Sequence, residues 1–74
     1  MTLYEKTLFV SKPYLGPAAE SFLTRQCKTR LKIEPPLLAA SQMAELAKWV
    51  GIGAELIMDK DKAVELARKI SVLQ

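Results

Sequence analysis

Between residues 42 and 57 the apolar side chains recur at helical spacing on two faces at once. Met43, Leu46, Ala47, Val50, Ala54 and Ile57 make one stripe, and Trp49, Ile52 and Leu56 make a second beside it. A helix with one stripe lies on a core. One with two stripes is either the centre of a small bundle or a helix whose second face is covered by another molecule. The pattern predicts a long third helix over residues 42–58, capped by Ser41 and placed at the centre of the fold. Gly51 and Gly53 fall inside it, each at a cost of about 1 kcal/mol against Ala. Close helix packing, a bend, or a turn between two shorter helices would each account for them.

The other elements follow from caps, breaks and periodicity. Thr2 and Glu5 stand at capping-box spacing ahead of Leu3, Tyr4, Leu8, Phe9 and Val10, which predicts a short first helix over residues 3–11. A strand through Thr7-Leu8-Phe9-Val10 is the alternative. Pro13 disfavours helical geometry at Lys12, and Pro17 takes the first position of a second helix over residues 17–31, with Ala19, Phe22, Leu23, Gln26, Cys27 and Leu31 on its inner face. Glu34-Pro35-Pro36 breaks the chain, and residues 37–40 cross the bundle. Asp59 caps a last helix over residues 60–73 whose buried face is Ala63, Leu66, Ala67, Ile70 and Leu73. The expected fold is an all-α small bundle of four main helices with a proline-broken crossover, residues 1–74 forming one domain.

At 74 residues a single core barely offsets the entropy of folding, and the 50% hydrophobic content must supply the stability by packing within or between chains. One cysteine closes no internal disulfide, which fits a reducing cytoplasm. No apolar run approaches the roughly 18 residues of a membrane span, and the first ten residues lack the basic start and continuous apolar core of a signal peptide. The net charge of +3 is uneven: Lys6, Lys12, Arg25, Lys28, Arg30 and Lys32 face only Glu5 and Glu20 up to Ile33, and from Glu34 onward acids slightly outnumber bases.

Catalysis has little to stand on. The chain has no histidine, so Cys27 lacks an imidazole partner, and its place on an apolar stripe makes it a core residue before a nucleophile. A thiol-based redox role ranks third among the functional readings. Asp59 and Asp61 lack the further oxygen ligands and the glycine of a calcium loop, and Gly51-Ile52-Gly53 is followed by no Lys-Ser or Lys-Thr pair. No enzyme activity, metal or cofactor is expected.

Two surfaces suggest binding. Thr24 to Lys32 places Arg25, Lys28 and Lys32 on one helical face with Arg30 nearby, a candidate anion-binding stripe suited to an acidic partner. The second stripe, Trp49, Ile52 and Leu56, is the candidate partner-binding face. A DNA reader is the alternative: Leu46-Ala47-Lys48-Trp49-Val50-Gly51-Ile52, with Ile57 beyond, resembles the core of a bacterial helix-turn-helix, with the turn at Gly51. Its second helix would carry Glu55, Asp59 and Asp61 toward phosphates against only Lys60 and Lys62, which makes nucleic-acid binding weak and non-specific.

Tyr14-Leu15-Gly16-Pro17-Ala18-Ala19, followed by Phe22-Leu23, resembles the helix entry of small uncharacterised all-helical modules attached to bacterial signalling proteins. The resemblance implies a regulatory or scaffolding role without catalysis. The leading expectation is therefore a non-enzymatic protein-protein interaction module, self-associating through its Trp49 face.

Overall fold

The computed structural model describes residues 1–73 and is all-α, 81% helical with no strand among those residues. Three helices of 12 or 13 residues dominate: α1 (Leu3–Leu15), α3 (Met43–Ala54) and α4 (Lys60–Ser71). The expected four main helices reduce to these three, because the second is composite. A 3-10 turn over Gly16–Ala18 leads into the short α2 (Ala19–Gln26), which widens into a π turn over Cys27–Leu31. Lys32, with φ 56°, ends the run in the left-handed region.

The start of α1 is written in its first turn. Thr2 Oγ1 accepts from the Glu5 N–H at 3.1 Å and Glu5 Oε1 accepts from the Thr2 N–H at 2.8 Å, a closed capping box. Hydrogen bonding to the Glu5 carboxyl, chiefly from the Thr2 backbone N–H and then from the Thr2 side chain, also holds it below its ordinary pKa. The end of α1 departs from expectation: the helix continues past Ser11 and through Pro13 to Leu15. Pro13 forfeits one backbone bond, but tertiary contacts hold the last turn. Tyr14 and Leu15 pack on the core, the Tyr14 hydroxyl donates to Glu65 of α4, and Lys69 lies 5.1 Å from the Tyr14 ring centroid. Gly16, at φ 61°, then turns the chain and donates its N–H to the Lys12 carbonyl.

The inner face of α1 also differs from its apolar pattern. The fully buried residues are Thr7 and Ser11, while Phe9 is exposed and Leu3, Tyr4, Leu8 and Val10 are half-buried against the core. Thr7 satisfies its hydroxyl on the Leu3 carbonyl at 2.7 Å, whereas Ser11 Oγ is buried without a partner. Two small polar side chains let α1 approach its neighbours closely. Tyr4 links it to α2, its hydroxyl 3.0 Å from Thr24 Oγ1.

After Ile33 the two prolines form a 3-10 turn over Pro35–Leu37, and a second such turn, Ala40–Gln42, delivers the chain to α3. Leu38, between them, is buried in the core. Ser41 does not cap α3. It sits within the 3-10 turn, Gln42 occupies the N-cap position, and the Gln42 side chain reaches back to the Ala39 N–H at 2.9 Å.

Helix α3 ends at Ala54, four residues before the expected end at Met58. Met43, Leu46, Ala47, Val50 and Ala54 are buried as its stripe predicts, but Ile57 lies beyond the helix and is exposed. The glycines are explained by close packing. A methyl on Gly51 would stand 3.2 Å from Ala67 Cβ of α4, and one on Gly53 would stand 2.9 Å from the end of the Phe22 ring. Asp59 holds the N-cap position of α4 but makes no side-chain cap bond. Ala63, Leu66 and Ile70 of α4 are fully buried, with Ala67 and Leu73 half-buried beside them, as the periodicity predicts. Helix α3 packs chiefly on α4 and also on the π turn and α2. It is not surrounded: its second stripe remains partly open.

Candidate functional site

The open part of α3 forms one wall of a groove. Phe22, Arg25 and Gln26 of α2 and Arg30 of the π turn face Trp49, Ile52 and Gly53 of α3, with Leu56 and Ile57 from the turn before α4 at the lip. The space between them is about 380 Å³. Leu56 is 86% exposed, Ile57 61% and Ile52 48%, so the lip is apolar and solvent-facing. The absence of a side chain on Gly53 lets the Phe22 ring lie against the α3 backbone at the floor, where a Cβ would stand 2.9 Å from the ring's end.

Trp49 is half-buried and sits between two cations. The Arg30 guanidinium carbon lies 4.4 Å from the ring centroid and Lys48 Nζ 5.3 Å from it, both within cation–π range. The indole Nε1 is buried without a hydrogen-bond partner. Unsatisfied buried donors cost on the order of 1–3 kcal/mol, so the ring is held by its faces and not by its N–H.

The candidate partner-binding residues Trp49, Ile52 and Leu56 therefore do share one surface, and the candidate anion-binding residues do not. Arg25 and Arg30 line the groove, whereas Lys28 and Lys32 lie on a separate depression with Ile33 and Glu34. Lys28 pairs with Glu34 at 3.8 Å across an exposed surface. The physical reason is the π turn. In a regular α-helix residues five apart point about 140° away from each other around the axis. The wider turn over Cys27–Leu31 sets residues at that separation closer to one side, which brings Arg30 toward Arg25. Phe22, Gln26 and Ile57 also belong to the groove. Phe22 and Gln26 were expected on the inner face of the second helix, and Ile57 in the core, so all three depart from expectation by lining the groove.

Other expected chemistry lies elsewhere. Cys27 is fully buried, and burial raises its thiol pKa. We expect native Cys27 to resist a thiol reagent near neutral pH and to react only on unfolding, and Cys27→Ala to cost roughly 1 to 2 kcal/mol. Rapid labelling of the folded protein would overturn this. Among the described residues no group of three or more His, Cys, Asp or Glu side chains could hold a metal ion, and no helix is long and apolar enough to cross a membrane. Gly51 lies inside α3, so the turn that a helix-turn-helix places there instead falls between Ala54 and Lys60.

Comparison with protein-family models, with characterised proteins and with solved structures finds no match to this chain.

Proposed function

We propose that the protein is a non-enzymatic interaction module that docks a partner protein in the groove between α2 with its π turn and α3. The observation that carries the proposal is the exposed apolar lip of Ile52, Leu56 and Ile57 beside a cation-held tryptophan. Single exposed apolar side chains are ordinary on monomers, but a cluster beside Trp and Arg has the composition of an interface centre. The accessible surface of 4716 Å² is close to the roughly 4,600 Å² that scaling gives for a compact monomer of this mass. The groove is thus a surface feature of a compact fold.

Self-association was the expectation from the two stripes. A symmetric pair centred on the groove would set Arg25 and Arg30 against their own copies, which favours a different protein as the partner. The setting we propose is the reducing cytoplasm, consistent with the single buried thiol. A regulatory or scaffolding role, implied by the likeness of the Tyr14 to Ala19 entry to bacterial signalling modules, accords with this reading.

Trp49 is the only tryptophan and reports on its own groove. A neutral-flanked amphipathic helical peptide with leucine anchors should perturb its fluorescence in the wild type and fail to do so in Leu56→Asp, whose circular dichroism should be unchanged. Sedimentation of the wild type alone should give a monomer. A concentration-dependent dimer abolished by Leu56→Asp would make a second copy the occupant, and peptide binding indifferent to Leu56 would overturn the site.

A further inference from the structure

Resting on that docking reading, we infer that the groove's partner is an acidic amphipathic helix, with carboxylates flanking the apolar anchors that enter between Trp49 and Phe22. The charge around the groove carries the inference. Its lining holds Arg25 and Arg30 and no carboxylate, and Lys48 adds a third cation on the Trp49 ring. Among the described residues no ion pair engages Arg25 or Arg30, and Arg30 lies over the Trp49 ring. Covering these guanidinium groups with an apolar or basic partner would strip water from them without replacement. A carboxylate replaces that water with charge-assisted, two-pronged hydrogen bonds.

Shape selects a helix over an extended polyanion. The space accommodates a few side chains between two helical walls, which is how an amphipathic helix seats anchors spaced three and four residues apart. A nucleic-acid duplex or an anionic membrane would have to span beyond the groove. There it would meet Glu55, beside Leu56 in sequence, and Asp59 and Asp61, all exposed and outnumbering the neighbouring Lys60 and Lys62. Those carboxylates repel a broad anionic surface, while a helix confined to the groove engages the arginine side.

The test uses two helical peptides of about four turns, identical in their leucine anchors, one with glutamate flanks and one with lysine flanks. Affinity is read from Trp49 fluorescence and, independently, from anisotropy of a labelled peptide, at low and high salt. The glutamate peptide should bind the wild type about tenfold more tightly than the lysine peptide, and the difference should shrink with salt. Arg25→Glu with Arg30→Glu should reverse the order, and Arg25→Gln with Arg30→Gln should level it without disturbing the helical spectrum. Equal binding of both peptides to the wild type, lost in Leu56→Asp, would overturn the acidic partner while leaving the docking groove intact. Binding of neither peptide would overturn both. Tighter binding to a DNA duplex or to anionic vesicles than to the glutamate peptide, abolished in the double glutamate variant, would also overturn the inference in favour of a polyanion.

Discussion

Leu66→Ala should remove a large part of this protein's stability, and Leu56→Ala should remove almost none. Leu66 is completely buried at the contact of α4 with the core cluster of Leu23, Leu46, Val50 and Ile70. Deleting a buried leucine to alanine costs about 2 to 5 kcal/mol, depending on how far the cavity collapses. A chain of this length has a total stability of roughly 4 to 11 kcal/mol, so the variant is expected to be marginal or unfolded at room temperature. Leu56, 86% exposed, should shift stability by no more than about 0.5 kcal/mol. Urea denaturation followed by circular dichroism measures both. A Leu56 variant as damaged as the Leu66 variant would mean that the lip of the groove belongs to the core, and the docking proposal would lose its site.

Gly51→Val should destabilise the protein by about 1 to 3 kcal/mol through overpacking, because the α3–α4 contact leaves little room there beyond a methyl. Even a single methyl would lie 3.2 Å from Ala67 Cβ, tighter than ordinary van der Waals contact. Gly51→Ala sets that crowding against a helix-propensity gain of about 1 kcal/mol, so it should be nearly neutral. Gly53→Ala behaves differently, since the obstructing atom is the far end of the half-buried Phe22 ring, which can swing. That swing would fill or reshape the groove, so this variant should alter peptide binding more than stability. Thermal or chemical denaturation of the three variants separates the cases. An unchanged midpoint for Gly51→Val would show that α3 and α4 tolerate separation and that the glycine is not there for close packing.

The outer helices illustrate how much local pattern can carry. The face of α4 repeats every three or four residues without interruption, and its buried set follows that repeat because only one side of the helix meets the core. The α1 capping box is likewise a matter of two side chains three residues apart closing on each other's backbone. The end of α1 was not legible in the same way. Pro13 is a strong local signal against helix, but the Tyr14 contacts with Glu65 and Lys69 come from 51 and 55 residues further along the chain and outweigh it. Local propensity is worth a few kcal/mol at one position, and packing can overrule it there.

The amino-acid sequence by itself determined the all-α character, most of the buried positions of α2, α3 and α4 and the burial of Cys27, since each depends on spacing along one helix. Phe22, Gln26 and Ile57, expected on core faces, instead line the groove, and Leu56 joins Trp49 and Ile52 there from the turn beyond α3. Only the tertiary structure decided where α3 stops, why its glycines are needed and which cations stand beside Trp49. The last two depend on the approach of α4 and Phe22 to α3 and on the π turn that carries Arg30, geometry that a period of 3.6 residues does not encode. Arg30 on the ring of Trp49 is the result: two residues 19 positions apart in the chain, brought to 4.4 Å by one wide turn.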